Sequence, residues 1–83
     1  MSLFMDVHTL GGEVGLDAVA QAHAADLDTQ GRHGVDYQRY WVDERNGKIF
    51  CLVEAPDAAA AAEVHREAHG LVASEIYAVT EGR

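Results

Sequence analysis

Three observations predict an α+β domain of ferredoxin-like type, with elements in the order β-α-β-β-α-β. The first is a central hairpin, Val35 to Glu54, whose two aromatic and β-branched runs flank Asn46-Gly47. The second is a pair of helix-periodic stretches, one before the hairpin and one after it. The third is a short strand-like run near each end of the chain. Right-handed crossovers then give one four-stranded antiparallel sheet with both helices on the same face. Eighty-three residues make a single domain, residues 1–83.

Leu3 to Thr9 reads as the first strand, with Leu3, Met5 and Val7 expected toward the helices and Phe4, Asp6 and His8 away from them. Leu10-Gly11-Gly12 ends it. Asp17 to about Thr29 fits a helix whose apolar stripe is Leu16, Val19, Ala20, Ala24 and Leu27. His23 falls inside that stripe, and Gly31 and Gly34 stop the helix.

In the hairpin, Asn-Gly is the signature of a two-residue type I′ turn, which requires positive φ at both positions. That loop would pair Arg45 with Lys48, Val42 with Cys51, Trp41 with Leu52, Tyr40 with Val53 and Arg39 with Glu54. Ala55-Pro56-Asp57 breaks the strand, and Asp57 is a suitable N-cap for a second helix. The run AAAAAEVHREAHG has high helix propensity, with Gly70 at the natural stop. Its expected buried stripe is Ala58, Ala61, His65, Ala68 and Val72. Glu75 to Thr80 is the last strand.

The helix-facing side of the sheet is expected to hold Leu3, Met5, Val7, Tyr40, Val42, Ile49, Cys51, Val53, Ile76 and Ala78. The open side would carry Phe4, Asp6, His8, Tyr37, Arg39, Trp41, Phe50, Leu52, Glu54 and Tyr77. So many rings are too large an apolar patch for a lone domain, which predicts a two-fold homodimer through the open sheet face.

Six basic against fourteen acidic residues leave a charge of −8. That argues against nucleic acid and anionic membranes, both of which attract cationic surfaces. No apolar run approaches the roughly 20 residues of a membrane span. MSLFMDVHT lacks the basic leader of a signal peptide, so the expected location is cytoplasmic. A single cysteine, Cys51, excludes a disulfide within the chain.

Five histidines in so short and acidic a chain raise the question of metal ions. His65 and His69 are four apart, on one helix face, a spacing at which two imidazoles can share a divalent ion. The zinc-protease pattern does not apply, because the glutamate of His-Arg-Glu-Ala-His is displaced by one. The ordinary reading is one buried histidine and one favoured on the last turn by the helix dipole. Neutral imidazole suits nickel, copper and zinc. Asp6 and His8 share one face of a strand, a second possible half-site; alternatively Asp6 pairs with Arg39 across the open face. His23 on an apolar stripe is more often a satisfied core histidine, and Cys51 more often a small hydrophobe. A convergence of His23, His65 and Cys51 beneath the helices would make a nitrogen–sulfur donor set. There is no glycine-rich phosphate loop, nucleophile elbow or paired acid couple.

Taken together, the segments FMDVHT, RYWVDERNGKIFCLVEAPDA and VHREAHGLVASEIY resemble a family of small bacterial ferredoxin-like domains. Its members are homodimers, some described as nickel-binding proteins that sequester the metal. The resemblance implies the fold, the dimer and a Ni²⁺ site, with His8, His23, His65 and His69 as the matching positions available as ligands.

Two other function classes compete with metal sequestration. One is a small dimeric enzyme of the cofactor-free monooxygenase type, using His23, His65, Tyr40 and Trp41 in a cleft between helices and sheet. The other is an interaction module with structural histidines. A polar pocket between helices and sheet would favour the enzyme, and a solvent-open histidine cluster the metal.

Overall fold

The computed structural model describes residues 1–82. Its elements are β1 (Ser2–Thr9), α1 (Leu16–Thr29), β2 (Asp36–Asp43), β3 (Lys48–Ala55), α2 (Ala58–Ala68) and β4 (Glu75–Ala78), with a 3₁₀ turn, Gln30–His33, after α1. The sheet order is β2-β3-β1-β4 and each neighbouring pair is antiparallel. This is the ferredoxin-like arrangement that the element order predicts.

The hairpin turn differs from expectation. Asp43 pairs with Lys48, so the loop has four residues, Glu44 to Gly47. Gly47 alone has positive φ (66°), whereas Asn46 does not, which rules out type I′. The Asp43 carboxylate explains the longer loop: Oδ1 accepts the Asn46 backbone N–H at 3.2 Å and Oδ2 accepts its side-chain amide at 2.9 Å. The register therefore moves by two, giving Val42↔Ile49, Trp41↔Phe50 and Tyr40↔Cys51, and Arg39 lies opposite Leu52 instead of Glu54. An even shift preserves faces, so Tyr40 and Val42 stay on the helix side.

Two other expectations about faces are reversed. A bulge between Tyr37 and Arg39 turns Tyr37 under the helices, where it is 1 % exposed. In β1, Phe4, Asp6 and His8 are the buried set, and Leu3, Met5 and Val7 lie on the open face. Both faces of β1 carry apolar residues, so alternation could not choose between them. Polar partners on α2 and β2, His65 and Tyr37, decide it by satisfying Asp6, which in turn pairs with His8. Asp6 consequently cannot meet Arg39 across the open face.

Helix α1 is rotated for the same reason. Val19, Ala22, His23 and Asp26, at i, i+3, i+4 and i+7, turn inward, while Ala20, Ala24, Leu16 and Leu27 are exposed. Helix α2 starts as expected, with the Ala60 N–H donating to Asp57 Oδ1 at 2.8 Å. It buries Ala61, Val64 and His65, with Ala58 and Ala68 half-buried. Val72 lies beyond the helix and is exposed. Gly70 (φ 80°) ends α2, its N–H donating to the His65 carbonyl at 2.9 Å.

The core between helices and sheet is built from Phe4, Val19, Val35, Ile49, Val53, Ala55, Ala61 and Val64. Four acidic or imidazole side chains, Asp6, His8, Asp26 and His65, are buried within it among the described residues. On the open face Trp41 and Tyr77 remain half exposed, beside a groove of about 520 Å³ lined by Leu3, Met5, Leu52 and Val79. No helix among the described residues is long and apolar enough to cross a membrane.

Candidate metal centre

Burying a charge without partners is costly, so these four buried side chains must satisfy one another or a ligand. They meet at the centre of the helix–sheet interface. His65 projects from α2 between the two carboxylates. Its Nδ1 is 2.9 Å from Asp26 Oδ1 on α1, and its Nε2 is 3.0 Å from Asp6 Oδ2 on β1. His8 Nε2 lies 3.3 Å from Asp6 Oδ1. The Tyr37 hydroxyl donates to Asp6 Oδ2 at 2.7 Å and also lies 3.1 Å from the Ala61 carbonyl. Cys51, a free buried thiol, sits opposite Asp6 on β3.

These contacts are unequal. The Asp26–His65 Nδ1 contact is a well-aligned hydrogen bond, and since a carboxylate only accepts, the proton is on Nδ1. By contrast, Asp6 Oδ1 and His65 Nε2 are close to opposite charges yet form no aligned hydrogen bond. One donor atom from each of Asp6, His8, Cys51 and His65 lies within 4.8 Å of the others. Beside them is a cavity of about 20 Å³, bordered by His8, His23, Tyr40, Cys51, His65 and His69.

A second convergence, Asp26, His65 and His69, lies nearer the surface. Here His69 Nδ1 accepts the Leu71 N–H at 3.1 Å, which leaves the ring proton of neutral His69 on Nε2, 3.0 Å from Asp26 Oδ1. Burial lowers the His69 pKa, favouring this neutral form. The His69 side chain is 14 % exposed.

Electrostatics follow from the burial. For His65, desolvation opposes the charge, but the contacts with Asp26 and Asp6 outweigh it and raise the pKa to about 9. Burial likewise opposes ionisation of Asp6, yet contacts with His65, His8 and Tyr37 hold its pKa well below the usual carboxylate range. Burial, then the Asp6 charge, pushes the Cys51 thiol upward. Without a metal ion the centre is therefore a protonated imidazole between two carboxylates, with a neutral thiol alongside.

Of the sequence-predicted positions, His8 and His65 meet at the inner cluster, and His69 flanks it. His23 stacks on Tyr40, with ring centroids 4.7 Å apart, and is in neither group of converging donors. Of the set His23, His65 and Cys51 considered from sequence, His65 and Cys51 meet together with Asp6 and His8, and His23 does not join them. Sequence reading passed over Asp26 and Tyr37. Asp26 had a signal in the Val19, Ala22, His23, Asp26 spacing, whereas Tyr37 had none, because a bulge reverses its face.

Fold and cluster define a small α+β domain carrying a buried candidate metal centre of histidine, carboxylate and thiol donors. The family described as nickel responsive protein SCO4226-like matches residues 4–79, and the chain belongs to that family. The crystal structure of SCO4226 from Streptomyces coelicolor A3(2) aligns with a TM-score of 0.92 at 38% identity, covering 99% of this chain and 100% of that one. No curated protein sequence gives a significant match.

Proposed function

We propose that this protein is a homodimeric nickel-binding protein that sequesters or buffers the metal in the cytoplasm, with Asp6, His8, Cys51 and His65 as ligands. The observation that carries the reading is the convergence of one donor atom each from Asp6, His8, Cys51 and His65 within 4.8 Å, with Asp6 Oδ1 and His65 Nε2 buried and lacking an aligned hydrogen bond. Two imidazoles, a carboxylate and a thiol suit a borderline transition metal and not calcium or magnesium, which favour all-oxygen sites. Burial keeps the Cys51 thiol neutral when no metal is bound, and a coordinated thiol loses its proton outright. A free thiol donor also suits a reducing compartment, which supports the cytoplasmic part of the reading.

The cluster lies under the helices, the place an enzyme would use. Its cavity of about 20 Å³ has room for about one water-sized particle and no organic substrate. Trp41, needed by the enzyme reading, is on the opposite face of the sheet. Homodimerisation is supported by Leu3, Met5, Val7, Trp41, Phe50, Leu52 and Tyr77, which share that open face. The partner would be a second copy; the acidic charge supports neither nucleic acid nor an anionic membrane.

Calorimetric titration with Ni²⁺ of untagged wild type, His8→Gln and Cys51→Ser tests the ligand set. Both variants should lose at least about tenfold in affinity, the scale of 1.4 kcal/mol. Equal affinity in all three proteins would eliminate the inner cluster, and elemental analysis without nickel would argue against the metal.

A further inference from the structure

We infer that Tyr37 and Asp26 are positioning residues that decide which atoms the centre presents: Tyr37 ties down one oxygen of Asp6 so that it offers only the other, and Asp26 holds the His65 ring with Nε2 inward. This rests on the ligand reading above and extends it from the donors to the groups that set their denticity and orientation.

The argument is a matching of atoms. Asp6 has two oxygens: Oδ2 accepts from the Tyr37 hydroxyl at 2.7 Å, and Oδ1 has no hydrogen-bond partner. His65 has two ring nitrogens: Nδ1 bonds Asp26 at 2.9 Å, and Nε2 has none. In each ligand one atom is held by a neighbour and the other has no aligned hydrogen bond, although His65 Nε2 lies 3.0 Å from Asp6 Oδ2. Each unsatisfied buried polar atom costs about 1–3 kcal/mol, which a bound ion at Asp6 Oδ1 and His65 Nε2 would relieve. The carboxylate–histidine–metal pattern is the general form of the Asp26 contact: the outer carboxylate fixes the tautomer and raises the basicity of the inward nitrogen.

Tyr37 has a separate role. Its ring stacks on His65, with centroids 4.3 Å apart. Its hydroxyl is anchored between Asp6 and the Ala61 carbonyl, and so bridges β1 and α2. The β2 bulge brings it there. A carboxylate with one oxygen engaged is a one-atom ligand, which limits the oxygen donors at the centre. Freeing that oxygen would admit a second carboxylate atom and shift the centre toward metals that prefer more oxygen.

The test uses Co²⁺ as an optical probe of the metal environment in wild type, Tyr37→Phe and Asp26→Asn, alongside thermal melts. Wild type should show a thiolate charge-transfer band that disappears in Cys51→Ser. In Tyr37→Phe the d–d bands should change in position and intensity, and Co²⁺ affinity should fall about 10- to 100-fold. Asp26→Asn keeps the side-chain shape and should weaken binding on a similar scale while retaining the wild-type charge-transfer band. Lower melting temperatures with unchanged spectra and affinities would make both residues merely structural and overturn the inference. If Tyr37→Phe does not fold, Asp26→Asn decides: wild-type affinity there overturns it. A wild-type Co²⁺ spectrum indifferent to Cys51→Ser would overturn the ligand set and this inference with it.

Discussion

Nickel loading at the inner cluster should release close to two protons at pH 8, a signature that surface histidines cannot give. With no metal bound, the His65 pKa is raised to about 9, because its contacts with Asp26 and Asp6 outweigh its burial. At pH 8 about nine-tenths of such rings hold the extra proton, against about 3% for an imidazole at the reference value of about 6.5. Coordination through Nε2 must expel it. Cys51, pushed up by burial and by the Asp6 charge, is wholly protonated at this pH and contributes the second proton on ligation. At pH 7, competition with the His65 proton alone costs about 2.7 kcal/mol, or roughly 100-fold in apparent affinity. Affinity should thus climb through the whole range up to pH 9 instead of levelling off above pH 7. Calorimetry in two buffers of different ionisation enthalpy at pH 8 counts the protons directly. The expected result is near two for wild type and near one for Cys51→Ser. Release below about 0.2 proton would refute the reasoning, placing the ion on imidazoles of ordinary pKa.

The metal-free protein should itself lose stability in alkali. His65 has a raised pKa, so its contribution is complete below about pH 6.5 and disappears as pH rises through about 9, a change of about 3 kcal/mol at most; chemical denaturation at pH 7 and pH 10 measures it. Asp6 has the opposite sign, with its contribution present above the normal carboxylate pKa and lost only in strong acid. Gly47→Ala should destabilise by about 1–2 kcal/mol from positive φ alone, and further because the added Cβ would overlap the Gly12 carbonyl; a melt equal to wild type would contradict the loop geometry. His69→Ala should leave nickel affinity within about tenfold of wild type, since the Leu71 N–H holds the ring proton on Nε2. Sedimentation at micromolar concentration should show a dimer that Trp41→Asp dissociates; a wild-type monomer would end the sheet-face assembly.

The chain alone determined the element order and with it the topology. Asp57, Gly70 and the apolar runs act locally, through capping, positive φ and strand propensity, and local signals survive in sequence. The matching of helix-facing residues on β3 was legible for the same reason: Ile49, Cys51 and Val53 alternate against less buried neighbours.

What tertiary structure decided was the orientation of elements with two plausible faces. In β1, Leu3, Met5 and Val7 outnumber Phe4 as apolar residues, yet Asp6 and His8 are the side chains turned inward. In α1, Leu16 and Leu27 are more hydrophobic than Asp26, yet Asp26 is buried. Each choice looks unfavourable by itself, because hydrophobicity is assigned residue by residue. The stabilisation comes from a hydrogen-bonded, oppositely charged group on another element. His65, Asp6, Asp26 and Tyr37 are acceptable in the core only together, and their association spans separations of up to 59 residues that no local period records. The candidate centre exists because the fold brings these four elements to one point.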